Sequence, residues 1–243
     1  MARINKKNII SGKIGNLVFR NLDGKQIVQA KPEKVNQTKA TKLSSSEFTQ
    51  CSRWTKILRL SLIPFLVGLT DIYMYRRLTG QLYKALQSNA AIAKGERTPC
   101  NSDMSALVGF EFNTHSPFAD YFLPKLDIRL DSGRQLRVAI PEFEPKTEVV
   151  FAEKTHQAEL IVYVLATNLV PNKAAIETHF ILPIERQTAL IPETHWISFA
   201  LPEGCFVMVS AKILYYNTNK FTAKNYVNSK ELNPACVVFA GGS

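Results

Sequence analysis

Four histidines are the first candidates for chemistry, because each follows a threonine: His115, His156, His179 and His195. Two belong to a longer repeat, Glu177-Thr178-His179-Phe180 and Glu193-Thr194-His195-Trp196. On a strand, residues two apart face the same way, so each Glu–His pair would share a face. Two carboxylates and two imidazoles brought together through the turn near 185–188 would suit a metal such as zinc. Strands rich in threonine and aromatics generate such triplets without a ligand, and we adopt that reading. No catalytic residue, metal or cofactor is assigned. Cys51, Cys100, Cys205 and Cys236 are scattered, with no CxxC pair, and read as reduced thiols, Cys205 and Cys236 as small buried side chains. A cysteine nucleophile needs a base beside it and a lowered pKa; no such setting is legible. Ser44-Ser45-Ser46 reads as a helix cap. GxSxG, Walker A, GxGxxG and HExxH motifs are absent. Gly12 and Gly15 lack the flanks that a phosphate-binding loop needs. The chain leans away from an enzyme.

The cations are more informative. The net charge of the 243 residues is +10, and it is unevenly placed. The first hundred residues hold 18 Lys and Arg against 5 Asp and Glu; the remainder hold 12 against 15. Such asymmetry suits contact with nucleic acid or another anionic surface, and equally a basic arm docking on an acidic subunit. Lys31, Lys34, Lys39, Lys42, Arg53, Lys56 and Arg59 are the candidate anion contacts. Aromatic interleaving is thin in this stretch (Phe19, Phe48 and Trp54), so nucleic-acid binding would be largely non-specific and salt-sensitive.

Three regions must position these residues: 1–43 as a basic arm with a β-hairpin, 44–98 as a helical hairpin, and 105–243 as an antiparallel β-sandwich. The expected class is α+β, mainly β. In the arm, 16–20 and 25–30 read as strands joined through Asn21-Leu22-Asp23-Gly24, since Asp-Gly favours a tight hairpin. Leu17, Val18, Phe19, Ile27 and Val28 are its apolar residues. A two-stranded hairpin is marginal alone in water, so it is expected to add to the sandwich sheet, of this chain or another. The stretch 31–43 reads as an extended connection. Ser44 and Glu47 fit a capping box for a helix to about Leu62, with Phe48, Cys51, Trp54, Leu58 and Leu62 as its apolar stripe. Pro64 should break or kink it. A second helix, capped by Thr70 or Asp71, runs to Ser88 and buries Ile72, Tyr75, Leu78 or Thr79, Leu82 and Leu86. From 105 onward the period becomes two. Strands are expected at 106–112, 126–130, 135–140, 147–151, 158–167, 179–184, 196–201, 206–216 and 235–240, with a tight turn at 131–134.

The segment 15–59, GNLVFRNLDGKQIVQAKPEKVNQTKATKLSSSEFTQCSRWTKILR, resembles an uncharacterised protein family of the Bacteroidota. The likeness lies in the strand Asn16-Leu17-Val18-Phe19-Arg20, the strand Ile27-Val28-Gln29, the Lys31-Pro32 step and the run Gln37-Thr38-Lys39-Ala40-Thr41-Lys42. A shorter piece, 71–80 with Arg76, Arg77, Leu78 and Thr79, is similar too. The resemblance implies a bacterial source and carries over no catalytic residue.

The function expected is that of a non-enzymatic structural or assembly protein, self-associating as a homo-oligomer through the hairpin and arm. The alternative is a nucleic-acid-binding protein using the basic N-terminal region. No secretory leader is legible after Arg3, Lys6 and Lys7, and the longest apolar run, 60–70, is too short to span a bilayer. A cytoplasmic protein as synthesised, with no membrane partner, is expected.

Overall fold

The computed structural model describes all residues except Met1, Lys7, Asp23, 32–36, Asn172, Asn219, Lys220 and Thr222. The chain divides into two compact units, Met1–Lys42 and Leu43–Ser243.

The first unit is an antiparallel meander of β1 (Arg3–Ile4), β2 (Ile10–Ile14), β3 (Leu17–Leu22) and β4 (Lys25–Ala30), paired in that order. The expected hairpin is β3–β4. Leu22 pairs with Lys25, so two residues close the loop. Gly24 holds φ 82° there, which a side chain would resist; Asp23 lies outside the described residues. Strands β1 and β2 were not legible, because Asn, Ser and Gly break up their apolar pattern. Ile14 pairs with Leu17 across Gly15, at φ 55°, and Asn16. Gly15 therefore makes a hairpin turn rather than a phosphate loop. Within this chain the hairpin does not add to the sandwich sheet, a correction to the first of the two expectations: these strands form a sheet of their own.

Helix α1 (Lys39–Leu66) leads into the second unit. It starts five residues before Ser44, so the expected capping box does not cap. Thr38 does instead, its Oγ1 accepting from the Thr41 N–H at 3.2 Å. Pro64 lies inside the helix, which stops two residues later, where Val67 and Gly68 take φ 52° and 71°. Helix α2 (Met74–Ser88) buries Met74, Leu78, Leu82, Ala85 and Leu86. Ile72, expected inside, precedes the helix and is exposed. Thr70 and Asp71 do not cap α2, which starts at Met74. Asp71 accepts from the Tyr73 N–H and pairs with Arg77.

The β region holds β5 (Asp127–Leu130), β6 (Gln135–Ile140), a short helix α3 (Pro145–Glu148), β7 (Gln157–Thr167), β8 (Ile176–Glu185), β9 (Thr194–Ala200), β10 (Phe206–Asn217), β11 (Asn225–Tyr226) and β12 (Ala235–Gly242). Two expected strands are corrected. The stretch 106–112 is a 3-10 turn followed by a single bridge, Glu111 to Cys236. It runs beside β12, exchanging backbone hydrogen bonds through Gly109, Phe110 and Phe112. The stretch 147–151 starts as the end of α3, because Pro145 presets a helical φ and Glu148 accepts from the Glu144 N–H.

One sheet has the order β11-β10-β7-β8, with β12 also on β10; the other is β5-β6-β9. They pack face to face as a sandwich. Alternation along β7 and β10 assigns the layers. Leu160, Val162, Val164, Val207, Val209, Ala211 and Ile213 share a core with Leu136, Val138 and Ile140 of the smaller sheet. Tyr163, Leu165, Phe206 and Met208 share a second core with Leu58, Leu62, Leu78 and Leu82 of the helices. The larger sheet is thus buried on both faces, which is why β7 and β10 read as near-continuous apolar runs. The helical hairpin and the β region form one packed unit of three layers.

Candidate functional site

Strand pairing sorts the first unit's side chains into two faces. Directly paired residues lie on the same side of a sheet. Leu17 pairs with Ile14 and Ala30, and Phe19 with Gly12 and Val28. With Asn21 and Gln26, which pair two residues farther along, these side chains form a largely apolar face with no charge. Ile14, Leu17 and Val28 are exposed, at 55%, 46% and 51%. The opposite face holds Val18 and Ile27 with Lys13, Arg20, Leu22, Lys25 and Gln29. The five candidate assembly residues therefore divide between an apolar face (Leu17, Phe19, Val28) and a cationic one (Val18, Ile27). Among the described residues, neither hydrophobic core includes a residue before Cys51.

Arg53, Lys56 and Arg59 do not form a single stripe. Lys31 is exposed, and its N–H donates to the Asn16 carbonyl at 2.6 Å. Lys34 lies outside the described residues. Lys39 and Lys42 are exposed in the first turn of α1, the end where a helix dipole disfavours cations. Arg53 and Lys56 are exposed farther along α1 and line a cavity of about 540 Å³ together with Lys173. Arg59 turns elsewhere: its guanidinium lies 4.6 Å from the centre of the Tyr75 ring. Lys173 was not legible as a partner, since it lies in the loop after β7, far along the chain.

The two Glu-Thr-His segments do not meet as ligands. Glu177 and His179 are on β8, in the larger sheet, and His195 is on β9, in the smaller one. Both histidines face outward, while their neighbours Phe180 and Trp196 turn inward and stack at 5.2 Å. The repeat marks two aromatic residues that close the sandwich core. His195 Nε2 lies 3.3 Å from the Glu193 carboxylate at the surface. Among the described residues, no three His, Cys, Asp or Glu side chains are grouped to hold a metal.

The cysteines are free thiols; Cys51, Cys205 and Cys236 are buried. Burial pushes Cys51 up to about 12, and Cys236 upward as well, which leaves little thiolate for nucleophilic attack. Burial also displaces an amine and a carboxylate. Lys212 on β10 is 1% exposed, and its Nζ donates to the Phe65 carbonyl at 2.9 Å. Loss of hydration pulls its ammonium down to about 8. Burial pushes Glu111 up to about 7, although its carboxylate accepts from the Phe118 N–H at 3.0 Å and Arg77 lies nearby. Arg77 is engaged with Asp71 and with the Glu111 carbonyl.

No protein-family model matches the chain, and no curated protein matches it.

Proposed function

We propose that the protein is a non-enzymatic structural protein that self-associates through its N-terminal sheet. The observation that carries this reading is the uncharged face of Ile14, Leu17, Phe19, Val28 and Ala30, with three of these side chains about half exposed or more. Apolar surface grouped on one side of a small sheet gains from being covered. A second copy supplies the same surface, and an isologous contact would hide both. The cations Lys13, Arg20 and Lys25 on the opposite face would remain in water.

The test is the molar mass of the full chain by light scattering over a range of concentrations. A mass above the 27.3 kDa of one chain, rising with concentration, is expected. Replacing Leu17 and Val28 with Lys should return the monomer without a change in circular dichroism. A monomer at every concentration, or a double variant that associates like its parent, would overturn the proposal.

The second reading is nucleic-acid contact. It rests on the exposed Lys31, Lys39, Lys42, Arg53 and Lys56. It would displace the first if the chain stayed monomeric alone and bound DNA or RNA with a steep loss in added salt.

A further inference from the structure

The cavity between α1 and the loop after β7 has a composition that nothing above accounts for. Its volume is about 540 Å³, within the usual range for small-molecule sites. Ile57, Leu60, Val170, Pro171 and Ala175 form an apolar lining. Arg53, Lys56 and Lys173 complete it with three cations, and no carboxylate is among the described lining residues. Leu60 and Val170 are 65% and 48% exposed, apolar surface left to water beside three cations.

We infer that this cavity binds a small anionic amphiphile: an apolar chain carrying one carboxylate or phosphate group. The apolar lining would take the chain, and the three cations would meet the head group. Each part of the ligand follows from a part of the lining. A simple anion would leave Leu60 and Val170 uncovered, and a neutral hydrocarbon would leave the cations unused. A nucleobase would find no aromatic ring on which to stack among the described lining residues. The inference is independent of self-association, since none of these residues belongs to the N-terminal sheet.

The test is calorimetric titration of the full chain with dodecanoate below its micelle-forming concentration, with dodecyl phosphate as a second anion. Saturable binding of one ligand per chain is expected, with NMR shifts centred on Ile57 and Ala175. Butanoate and dodecyltrimethylammonium should each bind about tenfold more weakly or worse. Leu60→Glu and Lys173→Glu should each weaken dodecanoate by about tenfold, and both positions are exposed, so melting temperature and circular dichroism should stay unchanged. The inference is overturned if dodecanoate does not saturate, if the cationic amphiphile binds equally well, or if the shifts fall elsewhere. Displacement of dodecanoate by oligothymidylate of equal or higher affinity would likewise overturn it, in favour of nucleic acid.

Discussion

Lys212 and Glu111 set opposite pH dependences within one fold. Lysine in the unfolded chain keeps its proton to about 10.5, whereas buried Lys212 releases it near about 8. Between those values the unfolded state binds the extra proton, so stability rises with pH across that window and is lost as pH falls through it. Glu111 behaves in reverse. Its folded-state pKa of about 7 lies above the ordinary 4.5. The folded state binds the extra proton between them, and stability falls as pH rises from 4.5 to 7. Each window should carry on the order of a few kcal/mol at most. Melting temperatures followed from pH 4 to pH 10 should therefore fall, level off and rise again, other groups held constant. Glu111→Gln should flatten the acid limb, and Lys212→Met the alkaline one. If the Glu111→Gln curve ran parallel to its parent between 4.5 and 7, the assignment would be wrong. Neither residue stands out in the sequence. Lys212 reads as an ordinary lysine within the apolar run 206–216, and only the alternation along β10, with helices packed on one side of the sheet, shows that it must turn inward.

At the level of elements, the end of α1 is the informative place. Val67 is β-branched and 66% exposed, yet holds φ 52°. A left-handed backbone costs an L-residue roughly 1–2 kcal/mol, and glycine almost nothing. Val67→Gly should stabilise the protein by about 1 kcal/mol, read as a higher urea midpoint with unchanged slope. A lower midpoint would mean that Val67 contributes packing that its exposure does not suggest. Strand and helix identities were legible where one period dominated: Gln135–Ile140 was read with its observed bounds, and Leu58, Leu62, Leu78 and Leu82 were placed on the buried stripes. Misreadings came where local chemistry competed. Pro145 turned a β-like run into a helical turn, and Ser44-x-x-Glu47 imitated a cap inside a helix. Glu47 is instead buried, accepting the Gly95 N–H at 2.9 Å. The candidate cations show the same limit. Spacing of three along α1 groups Arg53, Lys56 and Arg59, but only packing sends Arg59 over Tyr75 and leaves the others facing Lys173.

For the whole molecule, the excess of positive charge in the first hundred residues makes a separate prediction. If copies associate through the uncharged face, mutual repulsion of Lys13, Arg20 and Lys25 opposes assembly and salt should strengthen it. Association that weakens in salt would instead indicate attraction between basic and acidic regions, and would argue against the face-to-face contact. Among the described residues, no helix is long and apolar enough to cross a membrane. The final strand has a different consequence. Ala235–Gly242 pairs with β10 on one side, and the stretch 109–112 bonds to it on the other. Chain segments separated by more than a hundred residues thus meet at this strand. Until that strand arrives, β10 keeps an open edge and the core shared with the helices lacks Ala235, Val237 and Ala240. Closure of so distant a contact is slow, and during synthesis residues 109–112 must wait for 235–242 to emerge. For that interval the helix-facing core lies uncovered, and a chain cut before residue 235 would keep the same apolar surface open to aggregation.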